Sequence, residues 1–435
     1  MIMLGIVPTV LHADVQWVIV ISLTRPKQVP DLTISRLLPA FFVFLIAACE
    51  SKPSADPLAD APRTVSWPAE DWEISTPAKE GLDDAAIAQL DEEFRAGKHG
   101  YVDSVLIVRN GRLAFEAYYD NDYRARNADL VTGESGPWNY YDVTWHPFYK
   151  GTELHTMQSS SKSFMSALVG IAIARGDLPG VNATLGQLLP HRNIDDPQKA
   201  GITLDNILTM RPGFEWEENV SYWDPRNDAV LVESTDDWVA YLLDKPLIAE
   251  QGTQYNYNST NTQLMSEMVS TATGRPLNEY AEEHLFGPIG IKDYAWKDAP
   301  EGFKDVAGGM YLKPRDLARF ALLYEREGEW DGKQILPAEW VARTSTPLVA
   351  DVSPESPDFN VGYGYQWWIY NNGNDDMPFM YGTWGWGGQF ALVVPELDLF
   401  GVFTGWNVYE EDHQYAFELF YDRVVLTAAA RAGDE

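Results

Sequence analysis

The sequence is poor in cysteine and in basic residues, and each shortage argues against a class of protein. A single cysteine among 435 residues rules out an intramolecular disulfide. Lysine and arginine number 32 against 64 aspartates and glutamates, which gives a formal charge of −32, and no basic run occurs. Such a surface repels phosphate backbones, so nucleic acid is disfavoured as a partner. We interpret the acid excess as a well-solvated surface.

The composition is otherwise that of a globular protein. Hydrophobic residues make up 45% of the chain, aromatic residues 13% and charged residues 22%. These values exclude a disordered polypeptide, a collagen-like repeat and a coiled coil. The length admits two or three average domains or one large α/β domain, and we find no internal repeat.

The first 70 residues have the features of a targeting signal followed by a tether. Leu37–Ala48 is an apolar run with the length of a signal-peptide core, and it is too short to span a membrane. It ends directly before Cys49 and resembles the lipobox of bacterial lipoproteins, whose cysteine is acylated and becomes the mature N-terminus. We therefore predict a lipoprotein signal peptide over 1–48, lipidation of Cys49 and a flexible tether over 49–70. The alternative is an ordinary buried cysteine.

This prediction places the protein on the periplasmic side of a bacterial cell envelope. The membrane would then be contacted only through the lipid on Cys49, and Glu50 after it favours the outer membrane. A second apolar run, Val15–Leu23, lies upstream of the signal core, although signal peptides normally begin with a short basic stretch. We therefore expect translation to start further inside the sequence, near Leu32.

Secondary-structure signals predict strands at both ends of the mature chain and helices in the middle. The helix signals are Gly81–Arg95, residues 205–295 and Tyr415–Ala430, and the strand signals are the hairpin Ser104–Tyr118, Phe390–Val394 and Leu399–Thr404. In the hairpin the turn is Asn110-Gly111, the strongest short hairpin signal. We predict one α/β (α+β) domain over 71–435, with an antiparallel sheet lobe built from both ends and a helical lobe inserted at about 175–295.

The first chemical motif is Ser159-Ser160-Ser161-Lys162, followed by an apolar stretch. Residues three apart share a helix face, so Ser159 and Lys162 should point the same way. Burial favours the neutral form of a lysine, which can then accept the serine proton and create a nucleophile. The alternative is an exposed, serine-rich helix cap, which the apolar stretch behind Lys162 argues against.

The second motif is Tyr257-Asn258-Ser259. A nearby ammonium favours a phenolate, so Tyr257 could serve as a base, with Ser259 offering a hydrogen bond toward the same cleft. Taken alone, a core or surface tyrosine is the commoner interpretation, since the chain has 22 tyrosines.

The third motif is Trp386-Gly387-Gly388-Gln389 at the entrance to a strand. Glycines there let a ligand approach the backbone, and an edge strand could donate an N–H to an oxyanion hole. The alternative is a tight aromatic turn. Tyr381, Trp384 and Trp386 are expected to line the cleft with aromatic surface.

In this order the three motifs resemble those of the serine β-lactamase and penicillin-binding-protein-like hydrolases, in the class C β-lactamase-like branch that includes esterases and 6-aminohexanoate-dimer hydrolases. The likeness extends from about Leu82 to the C-terminal helix. It implies a nucleophilic Ser159 that forms an acyl-enzyme, with Lys162 and Tyr257 sharing the proton transfers. It also implies an oxyanion hole made by the backbone N–H groups of Ser159 and Gln389.

The same resemblance assigns substrate contacts to Ser259, Trp386 and Gly388, with Tyr381 and Trp384 beside them. Two departures from the family pattern matter. Trp386 stands where penicillin-processing members usually carry a lysine that holds the β-lactam carboxylate. Ser259 stands where many β-lactamases carry an asparagine. Both changes favour small esters or amides as substrates, with β-lactamase or D-amino-acid peptidase activity as the alternative.

Other classes of function find less support in the sequence. There is no G-x-S-x-G elbow, no H-E-x-x-H motif and no pair of cysteine ligands, so neither a metal nor another cofactor is expected. We interpret His155, four residues before Ser159, as structural. The alternative of another class is a non-catalytic, penicillin-binding-like envelope sensor or scaffold, but Ser159, Lys162 and Tyr257 are all present.

Overall fold

The hairpin predicted around Asn110-Gly111 forms one edge of a seven-stranded antiparallel sheet in a computed structural model of the chain. The structure describes residues 66–122, 147–222, 224–352, 361–370, 378–408 and 416–433. They belong to a unit that spans Arg63–Glu435. The predicted signal peptide and Cys49 lie outside the described residues.

The strands of the described residues are β1 Val102–Arg109, β2 Arg112–Tyr118, β3 His155–Thr156, β4 Tyr294–Trp296, β5 Met310–Leu312, β6 Glu329–Trp330, β7 Lys333–Gln334, β8 Gly362–Tyr363, β9 Trp368–Tyr370, β10 Met380–Gly385, β11 Gln389–Val394 and β12 Leu399–Gly405. The large sheet has the order β2-β1-β12-β11-β10-β9-β8, and a small sheet has the order β3-β5-β4. Because β1 pairs with β12, the sheet is built from both ends of the chain, as predicted.

The helices of the described residues are α1 Asp84–Arg95, α2 Ser161–Arg175, α3 Leu185–Leu188, α4 Pro197–Ala200, α5 Leu204–Leu208, α6 Asp228–Glu233, α7 Trp238–Asp244, α8 Ser259–Thr273, α9 Leu277–Ala281, α10 Gly287–Ile289, α11 Pro314–Glu325, α12 Ala338–Thr344, α13 Ala416–Phe420 and α14 Leu426–Gly433. A π-helical turn, Tyr421–Val425, joins α13 to α14. The predicted helix after Gly81 begins at Asp84 because Asp83 caps it, accepting hydrogen bonds from two backbone N–H groups.

Both faces of the large sheet are buried. Successive residues of a strand point to opposite faces. In β1, Leu106 and Val108 therefore pack in the core that contains α2 and α11, while Val105 and Ile107 pack with α1 and the C-terminal helices. This explains why β1 is apolar without alternation.

The first three turns of α2 are buried on all sides. The 3-10 turn Gln158–Ser160, which leads into it, lies against β10 and β11, and the body of α2 packs against α8. The position of this helix fixes where the first motif meets the second and the third.

Candidate active site

Ser159 lies in a 3-10 turn, Gln158–Ser160, that leads directly into α2. Gln158 has a positive φ of 46°, which is uncommon for a residue other than glycine. Strained backbone of this kind is often found at functional sites.

The hydroxyls around Ser159 are held by the backbone of the sheet and of neighbouring loops. Ser160 Oγ donates to Gln389 O at 3.0 Å and also bonds to Thr383 Oγ1. Ser163 and Ser166 donate to the carbonyls of Gln366 and Tyr365, each at 2.8 Å. These bonds attach the start of α2 to the strands around it.

Ser159 differs from these serines because its hydroxyl meets Lys162. Lys162 Nζ lies 2.8 Å from Ser159 Oγ, as the three-residue spacing predicts. Lys162 is only 2% exposed, which contradicts the interpretation of an exposed serine-rich cap. Its ammonium group also donates to the carbonyl of Ala307 at 2.8 Å, so the side chain is held from two sides.

Tyr257 comes from the segment just before α8, and its ring lies beside Lys162. The distance from Lys162 Nζ to the ring centre is 5.1 Å, within the range of a cation–π contact. On another side the ring packs against Trp368, with centroids 5.6 Å apart. The structure therefore brings Ser159, Lys162 and Tyr257 together.

The loop after β4 supplies the carbonyl that holds Lys162. Asp305 Oδ1 accepts hydrogen bonds from the N–H groups of Ala307 and Gly308, each at 3.0 Å, which fixes the loop that carries Ala307 O. Burial raises the pKa of Asp305, although these two bonds and the nearby Lys297 and Lys162 oppose the rise. Burial lowers the pKa of Lys297.

The third motif forms the tight turn between β10 and β11. Gly387 and Gly388 have φ of 82° and 107°, which glycine adopts without strain. The Gln389 side chain is buried, donates to the carbonyls of Trp386 and Gly405, and accepts from Gly405 N–H. The structure thus places the Gln389 backbone beside the Ser159 turn, and its role in an oxyanion hole stays a prediction.

One expectation about this motif was wrong. Strand β11 lies between β10 and β12, not at an edge. Its backbone groups are paired on both sides along most of its length, so only its start can offer an N–H to a ligand. Gln389 is the first residue of β11.

Tyr381 does not line the cleft, contrary to the prediction. It is 2% exposed, packs against Trp367 and donates its hydroxyl to the carbonyl of Tyr324. Its position along β10 directs it into the core that contains α2. Trp384, three residues on, lies on the opposite face, packed against Phe417.

Aromatic rings do surround the motif residues, but in an arrangement that the sequence did not predict. Trp384 packs against Trp368, with ring centroids 5.1 Å apart, and Trp368 in turn packs against Tyr257. Trp386 packs instead against Tyr222 and Trp406, with centroids 4.8 Å and 5.8 Å away.

Comparison with known proteins identifies the family. The beta-lactamase family model matches residues 87–419. The chain belongs to the beta-lactamase family. Over an aligned length of 224 residues, the chain is 23% identical to the D-alanyl-D-alanine-carboxypeptidase/endopeptidase AmpH of Escherichia coli K12, and the match covers 44% of this chain and 54% of that protein. The chain thus spans about half the length of the first curated relatives that it matches.

Solved structures share the fold of this beta-lactamase family member. A proposed 6-aminohexanoate-dimer hydrolase from Bacillus anthracis has a TM-score of 0.61 at 18% identity, covering 80% of this chain and 82% of its own. EstCE1, a hydrolase with promiscuous acyltransferase activity, has a TM-score of 0.55 at 15% identity, covering 81% and 98%. These likenesses confirm the predicted fold class, and the family model confirms the predicted superfamily.

Ser259, the last residue of the second motif, is bonded to a carboxylate from a distant loop. Ser259 Oγ donates to Glu218 Oε1 at 2.5 Å, and the Ser259 N–H donates to Glu218 Oε2 at 2.8 Å. Among the described residues, the hydrogen bonds of Lys162 go to Ser159 and Ala307 instead. Within the described part of the chain Ser259 is therefore bonded to Glu218 and not to Lys162, and its predicted contact with the substrate stays a prediction.

His155 is fully buried, in agreement with a structural role. Its Nδ1 lies 3.0 Å from the carbonyl oxygen of Thr156. Its Nε2 lies 2.8 Å from Asp103 Oδ2. The pair connects β3, which leads to Ser159, with β1 of the large sheet.

Sequence reasoning did not find four contributors to the site: Glu218, Tyr222, Trp368 and the carbonyl of Ala307. Each acts through a loop or a strand brought in from a distant part of the chain, and no local motif marks them. In the part of the chain that the structure describes, no group of three or more acidic, histidine or cysteine side chains could hold a metal. None of the helices described is both long and apolar enough to cross a membrane.

Proposed function

We propose that this chain is a serine hydrolase that cleaves small esters or linear amides through an acyl-enzyme on Ser159. The observation that carries the proposal is the 2.8 Å contact between Lys162 Nζ and Ser159 Oγ at a buried lysine. A serine hydroxyl becomes a useful nucleophile when an adjacent group accepts its proton. Tyr257 is the second candidate for this proton, because its ring lies 5.1 Å from the same Lys162 Nζ.

The proposed reaction has two halves. Ser159 Oγ attacks the carbonyl carbon, its proton passes to Lys162 or Tyr257, and the N–H groups of Ser159 and Gln389 receive the negative charge of the carbonyl oxygen. Collapse of the tetrahedral intermediate breaks the bond to the alcohol or amine, which takes the proton and leaves. Water then attacks the acyl-enzyme by the same route, releasing the acid and restoring Ser159.

The surroundings of Trp386 support esters and linear amides over β-lactams. The indole packs between the rings of Tyr222 and Trp406, so the third motif presents aromatic surface where a lysine would present a charge. Aromatic surface binds apolar acyl groups by burial of area, about 25 cal/mol per Å². It cannot form the charge-assisted hydrogen bonds that a carboxylate needs.

Labelling with a fluorophosphonate tests the proposal. We expect covalent labelling and hydrolysis of p-nitrophenyl butyrate by the wild type, and loss of both in Ser159→Ala. Ser166→Ala is the matched control, because this serine lies on the same helix and donates only to a backbone carbonyl among its described contacts. A wild type that is neither labelled nor active would favour the sensor or scaffold instead.

A further inference from the structure

Glu218 is a buried carboxylate that three donors hold beside the second motif. It is 7% exposed. Its Oε1 accepts from Ser259 Oγ, and its Oε2 accepts from the backbone N–H of Ser259 and from the indole N–H of Trp216, the last two at 2.8 Å each. A buried charge is stable only when it is well hydrogen-bonded.

The charge of Glu218 is balanced by a helix start. Among the described residues, the donors to Glu218 are a hydroxyl, a backbone N–H and an indole N–H, all of them uncharged. No lysine or arginine of the described residues forms an ion pair with it. Ser259 is the first residue of α8, which is 15 residues long. The free N–H groups at a helix N-terminus stabilise a negative charge placed there.

The loop that carries Glu218 is attached to the chain on both sides of Tyr257. Before Tyr257, Asn256 Nδ2 donates to the carbonyl of Trp216 at 2.9 Å. After it, Ser259 is bonded to Glu218 through both its N–H and its hydroxyl. The same loop continues to Tyr222, which packs against Trp386. The loop from Trp216 to Tyr222 therefore forms hydrogen bonds with the second motif and packs against the third.

We propose that Glu218 is a positioning residue for the acyl-transfer reaction: by holding Ser259 it fixes the segment that places Tyr257 beside Lys162. This inference rests on the proposed function. It gives Ser259 a structural task, because its hydroxyl is occupied by Glu218. It also explains why this chain can carry serine at a position where related enzymes use asparagine toward the substrate.

Glu218→Gln tests the inference while keeping the size of the side chain. The glutamine amide carries no charge for the start of α8 to stabilise, and its nitrogen can face Ser259 Oγ only if that hydroxyl turns to accept instead of donate. A small misplacement of a catalytic group can reduce the rate by up to about 10²-fold. We expect kcat for p-nitrophenyl butyrate to fall by about tenfold with little change in KM. Glu215→Gln, a change of the same chemistry at an exposed residue of the same loop, should leave kcat unaltered.

A double-mutant cycle separates positioning from a general structural effect. If Glu218 acts through Tyr257, then Glu218→Gln should cause no further loss of kcat when Tyr257 is already replaced by phenylalanine. An equal factor in the wild-type and Tyr257→Phe backgrounds would overturn the inference and leave the proposed function intact. A wild type without esterase or amidase activity would instead refute the proposed function.

Ser259→Ala provides a second route should Glu218→Gln fail to fold. It removes one donor to Glu218 and keeps the backbone N–H of residue 259. We expect a loss of kcat of about threefold in the wild-type background and none in Tyr257→Phe, on the same reasoning. Equal losses in both backgrounds, or no loss in either, would contradict the inference.

Discussion

Ser159 and Ser160 have the same side chain, and the partners of their hydroxyls distinguish the proposed nucleophile from a structural group. Ser160 Oγ donates a hydrogen bond to the backbone carbonyl of Gln389 in β11, whereas Ser159 Oγ lies 2.8 Å from Lys162 Nζ. The spacing of the motif was sufficient to predict the second contact, because it follows from helix geometry alone. The burial of Tyr381 could not be predicted in the same way, because its surroundings come from Tyr324 and Trp367.

The proximity of Lys162 and Tyr257 leads to a prediction about their joint action. Lys162→Ala and Tyr257→Phe should each reduce kcat by about 10²-fold or more, the usual scale of general acid–base catalysis. Because both side chains serve the same proton transfer, the double mutant should lose much less than the product of the two factors. Steady-state kinetics on p-nitrophenyl butyrate measures all three. Multiplicative losses would show that the two residues act independently.

At the scale of elements, local sequence patterns predicted several strands and helices correctly, but they did not predict the order of all the strands in the sheet. The Asn110-Gly111 hairpin, the terminal strands and the closing helix follow from local pattern. By contrast, β10, which pairs with β11 across the turn formed by the third motif, was not among the predicted strands, so the position of β11 inside the sheet was missed. The prediction that β11 is an edge strand was wrong for that reason. The predicted limits of the helical lobe remain a prediction.

Helix α2 carries Lys162 and directly follows the proposed nucleophile, and its close packing gives a prediction about stability. Gly170 faces the ring of Trp340 so closely that an added Cβ would lie 2.6 Å from it. In most helices Gly→Ala is stabilising, because alanine has the better helix propensity. Here we expect Gly170→Ala to lower the free energy of unfolding by about 1–3 kcal/mol, as overpacking does. Urea denaturation measures this change.

The ring of Trp340 provides the control for Gly170→Ala. In a Trp340→Ala background the clash is absent, so adding Gly170→Ala should cost little or should stabilise the helix. A stabilising Gly170→Ala in the wild-type background would show that α2 and α12 can move apart.

At the scale of the whole molecule, recognition depended on the order of three motifs more than on any one of them. Each motif alone is weak, but together they predicted the family that the family model confirms. The loop from Trp216 to Tyr222, which touches both the second and the third motif, could not be predicted, because its contacts join segments that are distant in sequence. The lipid anchor at Cys49 stays a prediction from its flanking residues.

The last prediction concerns the substrate preference. We expect this preference to depend on the contact between Trp386 of the third motif and Tyr222 of the loop from Trp216 to Tyr222. We expect kcat/KM for p-nitrophenyl butyrate to exceed that for nitrocefin, since Trp386 offers ring surface, packed on Tyr222, in place of an ammonium group. Trp386→Lys should shift the ratio toward nitrocefin by about tenfold, comparable to one charge-assisted hydrogen bond.

Trp386→Leu, which removes the ring without adding a charge, is the control. It should lower kcat/KM for p-nitrophenyl butyrate and should not raise kcat/KM for nitrocefin. An equal shift in both variants would mean that the volume of the side chain, and not its charge, sets the preference. A wild type that prefers nitrocefin would restore β-lactam hydrolysis as the leading function.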